Sequence, residues 1–235
     1  MTATLSIDIE AARREILDPT RTVTIVRGAV DSVTLADYVS EAATDFERLP
    51  RVKERPEVDE GPDVVLPWVW DHDLKTFTVH RLYRFLHNEA GTTHGSVHEP
   101  IMRTRDAIEE AWPNGPTYEA QRYRNLHIIA KYEHGSAGYD RHTDVPFEHP
   151  HPMLQCWLQL TEPGSDFAGG DLILYPPAGG EIRAVADLGI RAGDVLFFDK
   201  RTEHEVTALE SVEGGRGRWI AIVGAMATMR AAKAA

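Results

Sequence analysis

Little in this sequence allows covalent cross-linking. Cys156 is the sole cysteine among 235 residues, so no intramolecular disulfide can form and the reducing cytoplasm is the expected location. Long apolar runs are missing as well. None approaches the roughly 20 residues that a membrane-spanning helix needs, and residues 1–16 lack the apolar core of a secretory signal. Basic residues are in deficit: Lys and Arg total 25 against 37 Asp and Glu, a formal net charge of -12. The average field therefore repels phosphates and argues against nucleic acid as a partner. Neutral or cationic small molecules are easier to accommodate.

What remains is a globular composition, 42% hydrophobic and 26% charged, at a length that one domain can fill. A single domain over residues 1–235 is expected, with residues 1–125 as a helical support that shapes substrate choice and residues 126–225 as a β core. The alternation of residues 20–26 predicts a strand. Leu35, Tyr38, Val39, Ala42, Phe46 and Leu49 recur at helical spacing, with Thr34 and Asp37 as a capping pair and Pro50 as the stop. The polar residues 51–62 read as an exposed connector. Val79, Leu82, Tyr83 and Leu86 predict a second helix over about 75–88, and Ile101, Ile108 and Trp112 a third over about 100–112, closed by Pro113-Asn114-Gly115-Pro116. His72, His80, His87, His94 and His98 show no repeated ligand spacing and read as ordinary surface or core histidines.

From Leu126 the pattern changes. Short runs at 126–132, 153–160, 170–175, 182–187, 194–199, 204–209 and 219–223 are separated by Gly and Pro turns. Such a series predicts a mainly β, α+β protein: a double-stranded β-helix (jelly roll, cupin-like) with the N-terminal helices packed on it. The small, basic tail after Met226 is expected to fray.

Within this region stands His142-Thr143-Asp144. Residues two apart on a strand share a face, so this imidazole and carboxylate can grip one metal ion together. His204, beyond the apolar run Val195-Leu196-Phe197-Phe198, supplies a third ligand. Two histidines and a carboxylate leave positions open on an octahedral iron(II), the set used by non-haem iron oxygenases. The pair Lys200-Arg201 lies just before His204, either at the mouth of the site or as a solvated turn. Phe147-Glu148-His149-Pro150-His151-Pro152 forms an extended insert beyond the motif, read as a loop bordering the opening and not as a second metal site.

Residues 130–146, AKYEHGSAGYDRHTDVP, resemble the iron(II)- and 2-oxoglutarate-dependent dioxygenases of the prolyl 4-hydroxylase type. Gly169-Gly170-Asp171-Leu172, Gly193-Asp194-Val195-Leu196-Phe197-Phe198 and His204-Glu205-Val206 match that family's later strands in order and type. The resemblance implies that His142, Asp144 and His204 hold Fe(II), with 2-oxoglutarate and O2 as cosubstrates and ascorbate as a stimulating reductant. It also implies a basic residue on the last strand that binds the distal carboxylate of 2-oxoglutarate. Arg218 and Arg216 both qualify, because a guanidinium pairs a carboxylate through two parallel hydrogen bonds. Arg218 fits better, being followed by Trp219 and an alternating strand. Tyr132 and Tyr139 match tyrosines that precede the family's metal motif, the first reaching cosubstrate and the second substrate. Where relatives place a tyrosine after that motif, this chain has Gln155, Trp157 or Gln159; Gln159 is assigned to cosubstrate and Trp157 to substrate.

The implied activity is hydroxylation of an unactivated C–H bond in a small molecule, an amino acid or a derived metabolite. Alternatives are a protein or peptidyl prolyl hydroxylase and a non-catalytic jelly-roll binding protein. A homodimer is an expected assembly, as family members often dimerise.

Overall fold

The computed structural model describes residues 4–52, 69–74, 77–85, 92–110, 123–132, 138–144 and 153–227. Helix α1 (Ile9–Leu17) precedes strand β1 (Val23–Val26) and helix α2 (Ser32–Arg48), followed by the two-residue β2 (Arg51–Val52). On α2 the buried residues are Leu35, Tyr38, Val39, Ala42 and Phe46, the apolar stripe expected from their spacing. Its cap differs from expectation. Asp31, not the Thr34–Asp37 pair, takes the N-cap and accepts the amides of Val33 and Thr34 at 3.0 Å. The Thr34 hydroxyl, 2.7 Å from Asp31 Oδ2, donates back to it.

Residues 77–85, the described part of the helix predicted over about 75–88, form a strand instead. Strands β3 (Val69–Leu74) and β4 (Phe77–Phe85) make an antiparallel hairpin, and β4 continues onto β5 (Tyr123–Tyr132). The aromatic and β-branched content of Phe77-Thr78-Val79 and Leu82-Tyr83 suits a pleated surface, and pairing with β5 supplies the ladder that periodicity could not reveal. Helix α3 (Thr93–Glu110) begins earlier than predicted and runs through Pro100. Burial of His94, Val97, His98 and Ile101 outweighs the hydrogen bond that the proline forgoes. Both histidines are core residues: Tyr38 Oη lies 2.7 Å from His98 Nε2, and His94 Nε2 lies 3.2 Å from the Tyr38 carbonyl. The expected turn at 113–116, the insert at 147–152 and most of the 51–62 connector lie outside the described residues.

The remaining strands are β6 (Tyr139–His142), β7 (Leu154–Gln159), β8 (Ala168–Gly169), β9 (Leu172–Tyr175), β10 (Ile182–Arg183), β11 (Val195–Asp199), β12 (Glu203–Val206), β13 (Leu209–Glu210) and β14 (Arg218–Ala227). Eight strands form a large sheet in the order β1-β11-β7-β14-β5-β4-β3-β2, antiparallel except for the β2–β3 pair. Four form a smaller sheet, β10-β9-β12-β6. Period-two alternation divides the large sheet's residues between two cores. Leu154, Cys156, Leu158, Val195, Phe197, Trp219 and Ala221 pack against the helices. Tyr132, Trp157, Leu196, Phe198 and Ile220 face Leu172, Leu174 and Val206 of the smaller sheet. No helix among the described residues is long and apolar enough to cross a membrane.

Candidate metal and cosubstrate site

Strands β6 and β12 pair so that His142 lies directly opposite His204. Alternation on β12 turns His204 and Val206 inward and Glu203 outward. Outside, Arg141 pairs with Glu203 and covers the Tyr175 ring at 3.7 Å, tying the three strands together. Inside, the two imidazole centroids are 4.4 Å apart. Each ring is oriented in the same way: His142 Nδ1 lies 2.7 Å from the Asp140 carbonyl and His204 Nδ1 2.9 Å from the Thr202 carbonyl. A carbonyl only accepts, so each Nδ1 carries the proton and each Nε2 presents a lone pair, the tautomer a metal ligand needs.

Asp144 completes the group. Its Oδ1 is 3.9 Å from His142 Nε2 and its Oδ2 is 3.8 Å from His204 Nε2. These separations exceed hydrogen bonds, yet one ligand atom from each residue falls within 4.8 Å of the others. Among the described residues these three form the cluster of such groups able to hold a metal ion. Burial pushes the His204 imidazolium below its ordinary pKa, with Asp144 pulling the other way, so the ring favours the neutral, ligating form. The Phe198 ring stands edge-on to His204 at 5.3 Å, and Tyr139 packs 4.3 Å from His142.

Arg218 opens β14 directly opposite Tyr132 on β5, inside the sandwich. It is 2% exposed, and its Nε and Nη1 have no hydrogen-bond partner. Its guanidinium lies 5.0 Å from the Tyr132 ring centroid and 4.8 Å from that of Trp157. Burial pushes its pKa down while Tyr132 and Asp171 oppose the shift, and a guanidinium stays charged throughout. Asp171 is engaged elsewhere, accepting the Val185 and Ala186 amides at 2.7 and 3.1 Å. A buried cation with open donors is costly unless an anion joins it. Gly170 makes room for it: a Cβ there would stand 3.1 Å from Arg218 Cδ and 2.5 Å from Leu209 Cδ1.

The structure separates the two arginines. Gly217, at φ +82°, stands between them just before the strand begins, so they do not share a strand face. Arg216 instead pairs with Asp166 through Nε and Nη2 at 2.8 and 2.9 Å, with its side chain 52% exposed. Gln155, Trp157 and Gln159 share the inward face of β7, as their spacing requires. One Gln159 N–H is committed to the Thr161 carbonyl at 2.9 Å. Trp157, expected beside substrate, lies against Arg218. Lys200 is buried, not a solvated turn residue, while Arg201 is held by Asp199. A buried Arg105 and Glu109 on α3, close to the start of β7, were signalled in sequence by nothing beyond charges on an apolar helix face.

Residues 127–223 match the sequence profile of the 2OG-Fe(II) oxygenase superfamily. A search of curated protein sequences finds no significant match. The fold is similar to a prolyl-4-hydroxylase of Pseudomonas putida, with TM-score 0.60 and 17% identity over 92% of this chain and 97% of that one. It is similar to the epimerase SnoN of nogalamycin biosynthesis, with TM-score 0.58 and 16% identity over 93% of this chain and 83% of that one. A prolyl hydroxylase from Trichoplax adhaerens, solved with a hypoxia inducible factor peptide, gives TM-score 0.60 and 14% identity over 97% and 94% of the two chains. The profile match spans the three convergent side chains, Arg218 and the smaller sheet, together with β7, β11 and most of β5 and β14 of the large one. Residues 127–223 of this chain carry the sequence profile of the 2OG-Fe(II) oxygenase superfamily, on a fold similar to those structures.

Proposed function

We propose that the protein is an Fe(II)- and 2-oxoglutarate-dependent hydroxylase acting on an unactivated C–H bond of a small molecule, an amino acid or a derived metabolite. The observation that supports it most is Arg218: a buried guanidinium with open donors, in the same interior as the His142, Asp144 and His204 cluster. The residues fit the group. Nε2 of both histidines and the Asp144 carboxylate would hold iron, while Arg218 would bind the distal carboxylate of 2-oxoglutarate through paired hydrogen bonds. Bound iron with 2-oxoglutarate and O2 supplies the oxidising power for C–H cleavage, with succinate and carbon dioxide as coproducts.

The chain's own residues orient and screen. The backbone bonds to both Nδ1 atoms fix the imidazole planes. Tyr132 and Trp157 flank the guanidinium and keep water from it, which strengthens its grip on an anion. Gln159 offers amide atoms to the same interior, and Tyr139 beside His142 forms a wall for substrate. A peptidyl proline is the second reading, favoured by the fold likeness to two prolyl hydroxylases.

Purified protein supplied with Fe(II), ascorbate and 2-oxoglutarate is expected to form succinate, accelerated by the right member of a metabolite panel. Mass spectrometry then shows whether the mass of one oxygen atom is added to a small molecule or to a peptide. Equal succinate formation by Asp144→Ala would remove the assignment.

A further inference from the structure

Helix α3 turns two charged residues into the protein, one helical turn apart. Arg105 is 1% exposed and Glu109 0%. A carboxylate at such a place needs hydrogen bonds to offset its lost hydration. Glu109 Oε1 accepts the Leu154 amide at 2.7 Å, and Oε2 lies 3.9 Å from Arg105 Nε. Arg105 is in turn clasped by Asp106 through Nε and Nη2 at 2.9 and 2.6 Å. Burial still pushes the Glu109 carboxyl up to about 7, against the opposing pull of Arg105 and the Leu154 amide. An apolar residue would fill this place at lower cost, so the contacts onward from Leu154 matter.

They lead to the metal site. The Leu154 N–H belongs to the same peptide group as the Met153 carbonyl, which accepts the Lys200 N–H at 2.8 Å. The Lys200 carbonyl then accepts the Asp144 N–H at 3.1 Å. Three hydrogen bonds in series thus connect the Glu109 carboxylate to the backbone of Asp144. Donor and acceptor of the Met153–Leu154 peptide are polarised together, so the first two bonds reinforce each other, while the step to Asp144 is carried by the placement of the Lys200 backbone, whose N–H and C=O belong to successive peptides. The connection bears on a weakly supported ligand. His142 closes β6 and has its ladder partner in His204, whereas Asp144 lies two residues beyond the strand with its side chain 28% exposed.

We propose that Glu109 is a positioning residue for the metal site: by holding the Met153–Leu154 peptide it fixes Lys200, and through Lys200 the placement of Asp144. The proposal rests on His142, Asp144 and His204 being metal ligands. Misplacing a ligand by a fraction of an ångström weakens chelation, and groups that orient ligands typically contribute 10- to 100-fold to metal affinity. Glu109 acts at one remove, so the lower end of that range applies.

The test is Mn(II) binding to the whole metal-free protein, followed by electron paramagnetic resonance, with thermal melts alongside. Glu109→Ala removes the acceptor and is expected to weaken Mn(II) binding about tenfold. Glu109→Gln keeps an acceptor oxygen without charge and should bind within about twofold of wild type. Glu109→Asp keeps the charge but draws the oxygen back by one methylene, so it should resemble Glu109→Ala and serves if that variant does not fold. Ile108→Val removes a buried methylene from the same helix and should cost stability without changing Mn(II) affinity. Wild-type affinity in Glu109→Asp or Glu109→Ala, or a loss in Glu109→Gln as large as theirs, overturns the positioning role. Failure of wild type to bind Mn(II), or unchanged binding by Asp144→Ala, instead overturns the metal-site reading on which it rests.

Discussion

The two faces of the large sheet are built from the same strands and do different work. Toward the helices, Leu154, Cys156 and Leu158 on β7 and Trp219 and Ala221 on β14 form an apolar layer with Phe46, Ile101 and Ile108. Each large side chain buried there contributes roughly 1.5–3 kcal/mol. One residue away in sequence, Gln155, Gln159 and Arg218 are buried just as deeply on the other face, where polar groups cost stability. Burial alone therefore does not distinguish core from site. The distinction lies in whether a buried polar atom has its partner within the chain, and two of the Arg218 nitrogens do not.

Substitutions can break this contrast. The largest expected effect is at the ligands: His204→Ala should abolish metal-dependent succinate formation while the protein still melts cooperatively. Next comes Arg218→Ala, which should raise the KM for 2-oxoglutarate about 100-fold and leave Mn(II) binding intact, since losing one partner of a buried charge pair costs about 2–5 kcal/mol. Its sequence neighbour should behave oppositely. Trp219→Ala should cost about 3–5 kcal/mol in urea denaturation, with the KM for 2-oxoglutarate unchanged in the folded protein. A shifted KM without lost stability would erase the proposed division between the faces.

Two smaller effects sharpen it. Burial raises the Glu109 carboxyl from 4.5 to about 7, so across that interval the folded metal-free chain keeps a proton that the unfolded chain has released. Its contribution makes stability fall as pH rises through the interval. His98 and His204, pushed below their ordinary values by burial, slope the opposite way in wild type and variant alike. Urea midpoints near about pH 5 and about pH 8 should therefore show Glu109→Gln gaining on wild type at the higher pH. The smallest effect is expected at Arg216. Burial would raise the Asp166 carboxyl, but its bonds to Arg216 and to backbone amides hold it below the ordinary value. The Arg216 side chain is half exposed, so Arg216→Ala should cost about 1 kcal/mol or less and leave 2-oxoglutarate binding unchanged.

The sandwich strands and the triad were legible because period-two alternation, glycine turns and ligand spacing are local signals. The β3–β4 hairpin was not. Val79, Leu82 and Tyr83 satisfy a helical face as well as a strand, and only pairing with β5 decides between them. The start of α3 was hidden by Pro100, which reads as a first-turn residue until the burial of His94 and His98 is known. The different surroundings of Arg216 and Arg218 depend on the backbone at Gly217 and on Asp166, fifty residues from Arg216, which no local pattern reveals. Glu109 was invisible because its meaning lies in hydrogen bonds to residues far along the chain.

Calorimetric titration of 2-oxoglutarate into the Mn(II)-loaded protein, without oxygen, tests the central claim most directly. One 2-oxoglutarate should bind per chain, only with the metal present, and Arg218→Ala should weaken it about 100-fold. Absence of binding, or equal affinity in Arg218→Ala, would contradict the account.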